Sequence, residues 1–217
     1  MSATSTTVAS LRGVSKAFKH HVLFTDVDYD LEPGRIQALQ GPNGSGKSVL
    51  LKILCGFVKP DTGHVVIDDA YLDARRTFPQ DFGVIIDRPG YVGGLTGYQN
   101  LQRLAEIRGA VGRPEIEAAM RRVGLDPVAK QRARNYSLGM KQRLALAQAF
   151  MEDQRVLVLD EPFNALDANG VDEVRNLLRE FRDEGRTVLF TSHNAEDVDA
   201  LADIVHRLNG GTLERVR

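Results

Sequence analysis

Short apolar runs alternate with amphipathic stretches along most of this chain. Residues 35–39, 82–86, 155–159 and 187–191 are apolar or nearly so, which predicts short buried strands. Residues 7–14, 22–31 and 64–67 predict further strands. Helical spacing takes over between them. Residues 47–55 predict a helix stopped by Gly56. Leu144, Ala147, Phe150 and Met151 share one face of a helix over 139–151. Val171, Val174, Leu177, Leu178 and Phe181 share one face of the next. Residues 196–202 predict a short helix, and 204–208 with 212–216, joined at Asn209-Gly210-Gly211, a closing hairpin. Strands alternating with helices imply an α/β fold with a mostly parallel sheet covered on both faces.

The texture changes after residue 88. Gly90, Gly93, Gly94 and Gly97 loosen the chain. Thr96 and Gln99 then stand at capping-box spacing before a helix over 98–108. Pro114 opens a second helix over 115–123, with Ile116, Ala119, Met120 and Val123 on one face, and Gly124 ends it. Residues 89–138 are expected to form a small helical subdomain inserted into a core of 7–88 and 139–217, the whole of 1–217 being one domain.

Composition narrows the setting. The 217 residues, 42% hydrophobic, suffice for a substantial core. Lys and Arg number 28 against 29 Asp and Glu, so nothing marks a nucleic-acid surface or a polybasic membrane anchor. No apolar run is long enough to predict a membrane-spanning helix. Residues 1–10 lack the charged and apolar regions of a signal peptide and are expected to fray. The sole cysteine, Cys55, falls in an apolar helix and reads as a small buried hydrophobe rather than a catalytic thiol. A reduced, intracellular setting fits it.

Chemistry enters at residues 41–48, G-P-N-G-S-G-K-S, between a predicted strand and a predicted helix. This satisfies the phosphate-loop pattern G-x-x-x-x-G-K-[ST]. Gly41, Gly44 and Gly46 let backbone N–H groups approach phosphate oxygens, with Pro42, Asn43 and Ser45 completing the loop. The helix N-terminus, through Val49, adds unpaired donors and a favourable dipole. Lys47 can reach the β- and γ-phosphates, and Ser48 can place a hydroxyl on Mg²⁺. Alone, such a loop leaves kinases, GTPases and many ATPases open. The strand over 155–159 narrows the choice by delivering Asp160 and Glu161 to its carboxyl end, where ligands bind in open α/β sheets. Asp160 can hold Mg²⁺, directly or through water. Glu161 can polarise an attacking water, a role that contributes about 10²–10⁴-fold in rate.

Residues 136–143, Y-S-L-G-M-K-Q-R, resemble the signature motif of ABC transporter ATP-binding subunits, commonly L-S-G-G-Q. Ser137 and Gly139 match; Leu138 replaces the first glycine and Met140 the glutamine. Asn164-Ala165-Leu166-Asp167 resembles the family's D-loop, and Thr191-Ser192-His193 its switch histidine. These motifs stand in the family's order over about residues 11–215. The resemblance implies a P-loop NTPase core with a mostly parallel sheet, N-terminal antiparallel β strands and an inserted helical subdomain. It implies ATP and Mg²⁺ as cofactors, and a head-to-tail dimer with two ATP molecules at its interface. Each site would combine Lys47 of one chain with Ser137 and Gly139 of the other.

Several residues keep two readings. Ser137 is a natural helix N-cap, and within one chain that role suffices to explain it. By resemblance His193 contacts the γ-phosphate and helps orient water; otherwise it is a structural histidine. His20, His21, His64 and His206 have no such context and read as solvated or structural. Phe18 stands where the family places an aromatic that stacks on adenine, or else packs in the core. Asp87 replaces the glutamine of the family's Q-loop. It either offers an oxygen to Mg²⁺ or its water, or is a solvated turn residue. An acid here with this signature resembles exporter ATPases of antibiotic resistance and bacteriocin immunity. Residues 91–98 either line a groove for a helix of the membrane subunit or close the subdomain's own core.

The expected function is therefore an ATP-hydrolysing subunit that powers a membrane exporter. It would lie in the cytoplasm, on the inner face of the membrane, through a separate permease, paired with an identical or related ATPase subunit. The alternative is a soluble ABC-type ATPase acting on ribosomes or DNA. Such proteins commonly carry two cassettes or a long coiled-coil insertion, and no nucleic-acid partner is expected here. A GTPase would need the N-K-x-D motif, which does not occur.

Overall fold

The apolar runs pair side by side in a six-stranded sheet. The computed structural model describes residues 7–19, 21–72, 78–87 and 90–217. His20, the boundary residues 88 and 89 and most of the N-terminal tail lie outside the described residues. β1 (Ala9–Phe18), β2 (His21–Leu31) and β4 (Thr62–Ile67) form an antiparallel sheet in the order β2-β1-β4. β3 (Ile36–Gln40), β5 (Phe82–Ile85), β6 (Val156–Leu159), β7 (Thr187–Ser192), β8 (Ile204–Asn209) and β9 (Thr212–Arg215) form the second, in the order β5-β6-β7-β3-β8-β9. Its strands are parallel except for the β8–β9 hairpin.

The helices are α1 (Lys47–Leu54), α2 (Gly97–Arg108), α3 (Arg113–Arg122), α4 (Leu138–Phe150), α5 (Ala168–Asp183) and α6 (Ala195–Leu201). They explain the continuous apolar strands. Leu157 and Leu159 of β6 face a cluster with α4 and α5, while Val156 and Val158 face another built on α1 and the antiparallel sheet. Successive residues of a strand point to opposite faces, so a strand covered on both sides has no polar phase.

Two expectations change. Residues from Val8 onward do not fray: the Val8 N–H donates to the Leu31 carbonyl, and Ala9 is paired with both Leu31 and Ile67. β1 is the central strand of its sheet, with Val8 and Ala9 buried. Nor does α4 present a single apolar face. Gln142, residues 144–147, Ala149 and Phe150 are all buried, because α4 lies against β5 on one side and α2 and α3 on another. The contact with β5 is close enough that a Cβ on Gly83 would collide with the Ala149 carbonyl.

Local signals hold in the helical insert. The Gln99 N–H donates to Thr96 Oγ1 at 3.2 Å, and Thr96 N–H to Gln99 Oε1 at 3.0 Å, closing the capping box on α2. Pro114 lies in the first turn of α3. Leu101, Ile116 and Met120 join the same cluster as Leu144 and Leu159, so the insert shares its core with the sheet through α4. The Arg122 guanidinium lies 4.5 Å from the Phe181 ring centroid of α5, and Arg186 lies 4.6 Å from it.

Candidate active site

β3 carries the chain through the core to Gln40, and the phosphate loop turns it into α1. Gly44 and Gly46 have φ of 80° and 101°, left-handed values that suit glycine. Gly41 is required by packing: a Cβ there would collide with the Leu208 carbonyl of β8. The Lys47 ammonium is buried and donates to the carbonyls of Gly41 at 2.8 Å and Pro42 at 3.2 Å. Pro42 also accepts from Ser45 N–H at 3.2 Å. Ser45 Oγ is buried with no hydrogen-bond partner among the described residues.

β6 delivers the two acids beside this loop. Glu161 takes a left-handed φ of 49°. Its Oε1 lies 3.8 Å from Lys47 Nζ and is buried with no hydrogen-bond partner among the described residues. Its Oε2 lies 2.9 Å from His193 Nδ1, at the end of β7. Asn43, Gly44, Gly46, Lys47, Ser48 and Val49 face Asp160 and Glu161 across a cleft of about 260 Å³, with Leu23 of β2 at its edge. Eight apposed positions thus bring together backbone donors, one ammonium, one hydroxyl and two carboxylates. That set suits a metal-bound polyphosphate. A second cleft of about 400 Å³ opens beyond Glu161 and His193, between α5 and α6.

Four other residues singled out in the sequence lie apart from the cleft. Ser137 caps α4, its Oγ accepting from Met140 N–H at 3.1 Å, and is exposed. Its neighbour Leu138 is 70% exposed at the same helix end. Gly139 packs where a Cβ would lie 3.0 Å from the Ala165 carbonyl oxygen. Phe18 does not pack in the core: it is half exposed, with Lys16 Nζ 5.2 Å from its ring centroid. Asp87, at φ 65°, pairs with Lys52 of α1 at 2.6 Å and is not among the residues lining the cleft. The charge of Lys52 gives its carboxylate a partner within the protein.

Sequence reasoning passed over three residues that hold these parts in place. Thr191 bonds to Asp160 and to the Glu161 backbone; the sequence shows it as a polar residue near the end of an apolar strand, two before His193, with no role of its own. Gln142 donates to the Pro162 carbonyl at 3.1 Å, tying the signature helix to the loop after the acids. Arg175 of α5 pairs with Asp197 of α6 at 2.6 Å, both largely buried. Cys55 is buried, and desolvation pushes its thiol up to about 12.

Comparison with known proteins agrees with this geometry. Residues 24–164 match the family described as ABC transporter. The chain is 36% identical over 201 residues to the ABC transporter ATP-binding protein YybJ of Bacillus subtilis (strain 168), covering 93% of this chain and 92% of that protein. It is 34% identical over 208 residues to the bacitracin transport ATP-binding protein BcrA of Enterococcus faecalis, covering 95% of this chain and 68% of that one. Its fold superposes on the dimeric, post-hydrolysis ATP-binding cassette MJ0796 bound to ADP and Pi. The TM-score is 0.84 at 24% identity, over 96% of this chain and 99% of that one.

Proposed function

The chain belongs to the ABC transporter family of ATP-binding proteins, and from that premise we propose that it powers a membrane exporter as one half of an ATP-sandwiched dimer. It is an ATPase: ATP and water give ADP and phosphate. The observation that carries the site assignment is the contact of Glu161 with both Lys47 and His193 beside the phosphate loop.

Backbone amides 43–49 and Lys47 bind the phosphates. The helix N-terminus at Lys47 adds its dipole. Glu161 Oε1 lies 3.8 Å from Lys47 on the phosphate-loop side and has no hydrogen-bond partner among the described residues, so it is the oxygen left to accept a hydrogen bond and take the proton of the water that attacks the γ-phosphorus as the bond to ADP breaks. His193 holds the other oxygen and keeps the carboxylate turned. The donor set also fits Mg²⁺, which is usually held by one or two carboxylates plus substrate phosphates rather than by a protein cage. Ser48 and Asp160 would hold it, and bound there it neutralises charge on the β- and γ-phosphate oxygens. Asp87 is left out of this set because of its pairing with Lys52.

Ser137 and Gly139 act in trans in this reading. They sit at an exposed α4 N-terminus that does not line the chain's own cleft, and free N–H groups there suit a γ-phosphate presented by a second copy. The insert over 89–138 is then the arm that carries this helix end. Phe18 supplies an exposed ring for adenine.

Two surfaces suit the permease partner: the stretch over residues 91–98, where Tyr91 and Val92 are exposed, and a groove beside Phe57 and Phe78. Phe57 and Phe78 are about half exposed, with ring centroids 5.5 Å apart, beside a groove of about 280 Å³ floored by Phe82 and Gly83. Exposed aromatics over a groove suit an inserted helix. No helix among the described residues is long and apolar enough to cross a membrane, so docking of this kind would hold the chain on the inner membrane face. A role in transport is supported by the similarity to a bacitracin transport ATP-binding protein, and export as the direction by the acid at position 87 together with the signature over 136–143.

Purification of the tagged chain from membranes in detergent tests the reading. A polytopic partner that co-purifies, with ATPase activity abolished by Glu161→Gln, is the expected result. Recovery of the chain on ribosomes, or hydrolysis undiminished in Glu161→Gln, would overturn it.

A further inference from the structure

Thr191 is a buried polar side chain to which the mechanism above gives no part. It lies near the carboxyl end of β7 with no exposed surface. β6 and β7 run parallel with Leu159 beside Phe190, so the next residues, Asp160 and Thr191, fall side by side. The Thr191 hydroxyl donates to Asp160 Oδ1 at 2.6 Å. Thr191 Oγ1 in turn accepts from the Glu161 N–H at 2.8 Å.

One hydroxyl therefore uses its proton on the carboxylate of one acid and a lone pair on the backbone of the other. The second bond falls where the chain is strained, since Glu161 has a φ of 49° that a side-chain-bearing residue seldom adopts. Such a conformation persists where surrounding contacts determine it. The first bond occupies one Asp160 oxygen and fixes the direction of the other. His193 reaches Glu161 from elsewhere, through the side chain at Oε2.

We propose that Thr191 is a positioning residue for hydrolysis. It aims Asp160 at the metal–triphosphate and locks the Glu161 backbone so that its carboxylate meets the attacking water. The proposal rests on the ATPase reading above. A hydroxyl with both functions is needed; bulk alone does not suffice.

Thr191→Val keeps the shape and volume and removes both bonds, while Thr191→Ser keeps them. Misplacing reacting groups by about 1 Å costs up to about 10²-fold, so Thr191→Val should lower kcat at least about tenfold with KM for ATP within about twofold. Binding of a non-hydrolysable ATP analogue should need severalfold more Mg²⁺ in Thr191→Val, with binding in EDTA unchanged. Thr191→Ser should behave as the parent in both assays. If Val at this position prevents folding, Thr191→Cys, similar in size with a far weaker hydrogen-bonding group, carries the same prediction. Parental kcat and Mg²⁺ response in the substituted protein, or equal loss in Thr191→Ser, would overturn the proposal. A parent that hydrolyses no ATP would instead defeat the ATPase reading, and the analogue titration would still decide the role of Thr191.

Discussion

His193 Nδ1 lies 2.9 Å from Glu161 Oε2, while the other oxygen of the same carboxylate lies 3.8 Å from Lys47 Nζ. Glu161 is thereby held from two sides, by a group at the end of β7 and by the phosphate loop. His193→Ala should free the carboxylate to turn. Loss of an orienting contact of this kind should lower kcat by about 10²-fold with little change in KM for ATP. Steady-state ATPase assays check this; a parental kcat would mean that Lys47 and the backbone suffice to hold Glu161.

Asp87 and Lys52 should behave as a pair. Their contact of 2.6 Å is partly exposed, and pairs of this sort contribute about 0–1 kcal/mol. Asp87→Ala and Lys52→Ala should therefore give similar small losses of thermal stability, and the double substitution should add little to either. The Mg²⁺ concentration for half-maximal turnover should stay parental in Asp87→Ala. A large rise in that concentration would place the carboxylate on the metal instead.

Much of this was legible because it is local. The phosphate loop, the acids after an apolar strand, the Thr96–Gln99 capping box and Pro114 in the first turn of α3 are each set within a few residues. What escaped depends on chain segments far apart in sequence. Thr191 meets Asp160 only through the register of β6 against β7. Asp87 meets Lys52 only because β5 ends beside α1. The start of β1 falls both in the predicted strand over 7–14 and in a polar tail expected to fray, and only its pairing with β2 and β4 decides for the strand. The signature helix reads as one-sided until the insert folds onto it.

His206 predicts a loss of stability in acid. It is buried on β8, its ring centroid 4.9 Å from that of Tyr29, and its Nδ1 has no hydrogen-bond partner among the described residues. Burial first, and then the charge of Arg215, push its pKa down to about 4. The unfolded chain takes up this proton near the ordinary value of 6.5, so between the two values it binds more protons than the folded chain. The contribution is complete above that ordinary value and is lost as pH falls towards about 4. Denaturant melts across this range should show the decline, and His206→Gln should flatten it. An unchanged slope in that variant would assign the decline to other groups.

Arg122 should anchor the helical insert to the core. Its guanidinium lies over Phe181 and pairs with Glu180 at 3.2 Å and Glu184 at 3.1 Å. Arg122→Ala should cost about 1 kcal/mol or more, as cation–π contacts of about 0.5–2 kcal/mol suggest. Arg122→Lys should recover only part of this, because the planar fork that stacks and pairs is lost. Thermal melts measure both, and a parental Tm in Arg122→Ala would contradict the anchoring role.

The most direct measurement is the sedimentation of Glu161→Gln with and without Mg-ATP. A site completed in trans predicts monomers without nucleotide and dimers with it. Adding Ser137→Arg to the same chain should return it to monomers that still bind ATP through Lys47. A Glu161→Gln chain that stays monomeric while holding Mg-ATP, or a Ser137→Arg chain that hydrolyses ATP at the parental rate, would contradict the account.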